Sequence, residues 1–156
     1  MPNIDPSLLA SNFGEILDAV YNNESTSGMD KRAYRINSVG ALGGYQIKRD
    51  TFKHIQQIAP SKWKKVPFEG AMMKDDVSRE AASDYFSWLR QYLASHGIVP
   101  SEDTLLAAYH AGPGNVVNGK IGPKTRAYVE KGLEFIRKRR GVIPVDEDQV
   151  AAGRAA

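Results

Sequence analysis

Apolar residues recur at three- and four-residue spacing most clearly over residues 76–95, where Val77, Ala81, Tyr85, Trp88, Leu89 and Tyr92 give one broad apolar face. This predicts a helix, with Asp75 or Asp76 as its cap and Gly97 as its stop. The aromatic stripe along it reads as core rather than as a platform for a ligand. A first helix is expected from Asp5-Pro6, an acidic cap with proline at the first helical position, to about Asn23. Phe13, Leu17 and Val20 line one face of it, with Ile16 beside them. A second helix is expected over residues 49–58, ended by Pro60. Ser101 caps a shorter one over residues 102–109, which carries two acids in its first turn and is broken by Gly112-Pro113-Gly114. The last covers residues 123–140, with Tyr128, Val129, Leu133 and Ile136 facing inward.

The connections are less regular. Residues 25–44 are rich in Ser, Gly and Asn, and within them residues 33–38 predict a short strand, because Tyr34 and Ile36 alternate with Arg35 and Asn37. Residues 61–74, with Trp63, Pro67 and Gly70, read as a loop, and Asn118-Gly119 as a tight turn. From Gly141 onward the chain holds Pro144, three acids and small residues, and is expected to be loosely held or disordered. No repeat or second domain is visible. The expectation is one mainly α domain over residues 1–140, with at most a small β element, followed by a tail over 141–156.

Composition narrows the classes. A chain of 156 residues with 42% hydrophobic and 25% charged side chains supports a single well-buried core. Without cysteine it has no disulfide and no thiolate metal site. His54, His96 and His110 show no metal-ligand spacing, so neither metal nor cofactor is expected, and His54 and His96 read as structural. No apolar run reaches the length of a membrane span, and no basic segment followed by an apolar one opens the chain. The protein is therefore expected to be made in the cytoplasm without an export signal. The net charge of +3 is slight, and no nucleic-acid motif is present, so specific nucleic-acid binding is not expected. Two basic clusters stand out. Residues 137–140 (Arg-Lys-Arg-Arg) read as cations complementing a helix C-terminus, while Lys62, Lys64 and Lys65 are left open between a solvated face and attraction to an anionic polymer.

One acidic residue breaks the apolar pattern. Glu24 continues the face of Phe13, Leu17 and Val20, so its carboxyl meets the core at a helix end. Desolvation there raises the pKa and keeps a proton available near neutrality. Such a group protonates a leaving oxygen.

Further along come Gly40-Ala41-Leu42-Gly43-Gly44-Tyr45-Gln46-Ile47, then Ala107-Ala108-Tyr109-His110-Ala111-Gly112-Pro113-Gly114, then Thr125-Arg126-Ala127-Tyr128-Val129. With Glu24-Ser25 ahead of them, these blocks resemble in order the soluble lytic transglycosylase family, over residues 13–135. These are lysozyme-like enzymes that cut the glycan strands of bacterial peptidoglycan. The resemblance implies a lysozyme-like domain with Glu24 as its one catalytic acid and base. That residue would cleave the β-1,4 bond between N-acetylmuramic acid and N-acetylglucosamine and leave a 1,6-anhydro product. It also implies a substrate cleft. Gln46 suits acetamido or hydroxyl groups, Tyr45 a sugar face, and Tyr109 and His110 line the cleft near the acid. Tyr128 matches a tyrosine whose hydroxyl points at the acid, against the alternative of an ordinary core tyrosine.

The chain departs from the family in three places. Asn37 stands where a serine is usual, His110 where an asparagine is usual, and the interval from Glu24 to Gly40 is longer, which puts the match of Ser25 in question. Hydrolysis by a muramidase stays open, because spacing does not measure the distance to a second carboxylate such as Asp30, Glu69, Asp75 or Asp76. A wall-binding virion protein without turnover is the alternative from another class. The expected partner is the peptidoglycan glycan strand. Delivery to the wall would fall to a phage virion, a phage lysis programme as an endolysin, or a secretion apparatus.

Overall fold

The longest apolar stripe forms the longest helix. In the computed structural model, which describes residues 13–141, eight α-helices and one 3-10 turn surround a single two-stranded sheet. α1 is Gly14–Ser25, the 3-10 turn Lys31–Tyr34, β1 Ala41–Leu42 and β2 Ile47–Lys48. α2 (Arg49–Ile58), α3 (Pro60–Trp63) and α4 (Phe68–Met72) lead into α5 (Asp75–Ser95). α6 (Glu102–Ala111), α7 (Pro113–Val117) and α8 (Pro123–Arg139) complete the described chain. The domain is mainly α with a small β element, as the apolar spacing predicts.

α6 is the central strut. Leu105, Leu106 and Ala108 are fully buried, and α5, α7 and α8 pack around it. Its N-terminus is fixed by a reciprocal cap, in which Ser101 accepts from the Thr104 N–H and Thr104 accepts from the Ser101 N–H. α5 contributes Ala81, Tyr85, Phe86, Leu89 and Leu93 to the same core. Several long-range ties between helices are ionic. Asp18 on α1 takes Arg79 of α5 at 2.7 Å and Arg139 of α8 at 2.9 Å, while Arg140 meets both Glu15 and Glu102. The basic end of α8 thus bridges helices as well as complementing its dipole.

Several local expectations change. Phe13 has left-handed backbone (φ 64) immediately before Gly14, so α1 begins there and a continuous helix from residue 5 is not formed; the Asp5-Pro6 start lies outside the described residues. Residues 33–38 are not a strand. Asp30 accepts from the Arg32 N–H and winds Lys31–Tyr34 into a 3-10 turn instead. The strands come from the glycine-rich block, with Ala41 opposite Lys48 and Leu42 opposite Ile47. Pro60 both follows α2 and starts α3, and Phe68–Met72 is helical, so residues 61–74 are not one loop. Neither Asp75 nor Asp76 caps α5. Lys74 holds the cap position, and the Asp75 carboxylate in the first turn accepts 2.7 Å bonds from the Tyr21 and Tyr34 hydroxyls. That clamp fastens the long connection after α1 onto α5. Lys62 pairs with Glu80 and Asp84, which takes one member of the lysine cluster out of play. The tail beyond Gly141 lies outside the described residues.

Candidate active site

Glu24 occupies the last turn of α1, where the helix meets α8. The approach is fixed by Asn23, whose side-chain N–H donates to the Tyr128 carbonyl at 2.9 Å. Beyond Glu24 the helix is closed by two bonds made by Ser25, which is 1% exposed. Its hydroxyl donates to the Tyr21 carbonyl at 3.0 Å and accepts from the Gly28 N–H at 2.9 Å. Ser25 is thus a helix terminator. The chain then reverses through Thr26, Ser27 and Gly28, all with positive φ.

A cleft of about 320 Å³ opens beside the acid. Glu24, Asn37, Gln46, Lys48, Tyr109 and His110 are among its walls, so five residues singled out in the sequence converge on one hollow. Four elements supply them: the end of α1, the turn before β1, the hairpin with β2, and the end of α6. Glu24 is the only carboxylate among the cleft's lining residues. Burial pushes its pKa up to about 7, against the opposing pull of the Tyr128 hydroxyl, Lys48 and Lys131. The Tyr128 hydroxyl is itself buried and has no well-formed hydrogen bond among the described residues, yet it stands near enough to favour the ionised carboxylate.

The hairpin wall is braced from within. Gln46 donates 2.9 Å bonds to the Ala33 and Gly43 carbonyls and accepts from the Asn37 side chain at 3.2 Å. Asn37 in turn accepts from the Val39 and Ala41 N–H groups. Both amides therefore hold the loop in shape, and the Gln46 oxygen keeps a second lone pair for an incoming donor. Gly43 makes this geometry attainable. Its φ is +88, and a side chain there would strike the Met72 carbonyl.

The tyrosines divide by role. Tyr45 is 2% exposed, stacked on Tyr21 at 5.0 Å with its hydroxyl on Arg79, and is not available to a sugar face. The hairpin turns it into the core, which corrects the expectation that it packs on substrate. Its carbonyl accepts from the Tyr109 hydroxyl at 2.6 Å, and this bond ties α6 to the hairpin across the cleft. His110 bonds Thr125 at 2.8 Å through Nδ1 and stacks on Tyr128 at 4.5 Å. Burial, followed by the nearby Lys48 charge, lowers its pKa below the usual 6.5. Both effects favour the neutral imidazole.

Other residues also line the cleft, Tyr85 and Lys48 among them. Tyr85, expected only as core, has its edge in the cleft, and burial pushes its hydroxyl up to about 12. Lys48 carries no usable sequence signal, because Gln46 has left-handed backbone (φ 48) outside β2 and strand alternation does not extend across it. Among the described residues no three His, Cys, Asp or Glu side chains gather as a metal site requires, and no helix is long and apolar enough to cross a membrane. The chain matches no protein-family model, no curated protein and no solved structure.

Proposed function

We propose that the protein is a lytic transglycosylase of peptidoglycan, with Glu24 as its single acid and base. The observation that carries this reading is a lone carboxyl group in a cleft of mixed polar and apolar lining, with burial pushing its pKa up to about 7. Near neutrality a substantial share of Glu24 is protonated, which is what a leaving glycosidic oxygen needs. After donating that proton the carboxylate accepts one from the C6 hydroxyl of the muramyl residue. That oxygen bonds to the anomeric carbon as the glycosidic bond breaks, closing a 1,6-anhydro ring without consuming water. An intramolecular nucleophile needs no second carboxylate to activate it.

The neighbours suit both halves of this cycle. Burial of the carboxyl favours the neutral acid. The Tyr128 hydroxyl and the charges of Lys48 and Lys131 favour the carboxylate once the first proton has left. Balanced in this way, the group can change state twice per turnover.

Digestion of purified peptidoglycan followed by mass spectrometry tests the proposal. Wild type is expected to release muropeptides lighter by one water than hydrolytic products, and Glu24→Gln to release none. Reducing ends of full mass would make the protein a muramidase instead. Undiminished cleavage by Glu24→Gln would remove the proposed acid.

A further inference from the structure

Lys48 ends β2 and precedes α2, exposed, and lines the same cleft as Glu24 and His110. Its side chain makes no ion pair or hydrogen bond with any described residue. Its charge nevertheless reaches both neighbours, favouring the ionised form of Glu24 and the neutral form of His110. With His110 neutral and Glu24 carrying its proton for the first step, Lys48 is the one fixed charge on the walls named above. A fixed cation on the wall of a cleft attracts an anionic group and does little for a neutral one. The lysine head is a point charge with three donors on a flexible stem, suited to a carboxylate whose position varies.

We propose that Lys48 is a recognition residue that binds a carboxylate of the substrate beside the bond cleaved, an inference that rests on the glycan-cleaving reading of this cleft. Of the two alternating wall sugars, only the muramyl residue bears an acid. Its lactyl carboxyl is free where the stem peptide has been removed and tied up as an amide where it has not. The stem peptide brings further carboxylates of its own. Either source would distinguish wall glycan from a polymer of N-acetylglucosamine alone, and the lactyl group is favoured because it sits on the reacting sugar.

Calorimetric titration of Glu24→Gln, which leaves the ligand uncut, separates these cases. Three probes are used: chitotetraose, a peptide-free tetrasaccharide of alternating N-acetylglucosamine and N-acetylmuramic acid, and the same tetrasaccharide bearing stem peptides. Adding Lys48→Met is expected to weaken the peptide-free muramyl ligand by about tenfold, the scale of one charge-assisted hydrogen bond, and to spare chitotetraose. Lys48→Arg should recover most of the loss, and added salt should erase the difference. A loss confined to the peptide-bearing ligand supports the carboxylate contact and assigns it to the stem. Equal loss for all three ligands, or no loss, overturns the role of Lys48 while leaving the glycan cleft standing. Failure of folded Glu24→Gln to bind any of the three overturns the glycan reading and this inference together.

Discussion

The Asn23 side chain donates to the Tyr128 carbonyl across 105 residues of sequence, and this one bond sets the end of α1 on the flank of α8. It places Glu24, the next residue, beside the Tyr128 hydroxyl. The acid and the group that favours its ionised form therefore come from opposite ends of the described chain.

Removing that hydroxyl should move the acid. In Tyr128→Phe the Glu24 pKa is expected to rise further, because a contact favouring the carboxylate is lost while burial remains. The alkaline limb of glycan cleavage should shift to higher pH, and a carbon-13 titration of Glu24 should shift with it. An unmoved titration would show that the hydroxyl does not act on this carboxyl.

The same raised pKa costs stability. Because the folded value of about 7 lies above the ordinary 4.5, the folded state holds a proton that the unfolded chain releases between those values. Stability is therefore lost as pH rises through this window, by on the order of 3 kcal/mol once Glu24 is ionised in both states. Glu24→Gln, which cannot ionise, should melt several degrees above wild type at pH 8, with the gap closing toward pH 4. A gap independent of pH would count against the buried acid.

Gly43→Ala tests the hairpin wall. The positive φ and the clash with the Met72 carbonyl both oppose a side chain, and together they should cost at least about 2 kcal/mol. Chemical denaturation would measure this. Glycan cleavage should fall more than stability accounts for, because Gln46 and Asn37 are held in shape by the same turn.

His110 makes an opposite pH prediction. Its folded pKa lies below 6.5, so the unfolded chain takes up the proton first and stability is lost as pH falls from 6.5 toward the lowered folded value. Thermal melts of His110→Asn should lack this component, gaining on wild type below that pH and tracking it at pH 7 to 8. Parallel curves across the whole range would show that His110 is not held neutral.

Much of this was legible because it is local. The α5 stripe, the Ser101 cap and the span of α8 follow from residue spacing and end chemistry, which any chain of that pattern must satisfy. Glu24 was visible for the same reason, as an acid where an apolar side chain would be expected. The failures are equally physical. The alternation of Tyr34 and Ile36 imitates a strand, but Asp30 offers the backbone a turn that competes for its N–H groups. Asp75 resembles a helix cap, yet two distant tyrosine hydroxyls claim its carboxylate. Tyr45 resembles a sugar platform until the hairpin turns its ring onto Tyr21.

By itself, then, the order of residues determined a mainly helical domain and an acid seated where a helix meets the core. Periodicity and capping act over a few neighbours and need no partner from elsewhere. Only the tertiary structure decided what surrounds that acid. The cleft exists because α6 and the hairpin approach α1 from far along the chain, while α8 packs against α1 behind it. Packing between them removes water from the Glu24 carboxyl, leaves the Tyr128 hydroxyl buried beside it, and brings Lys48 into the same cleft. Burial is a property of that assembly, and so is the proton it retains.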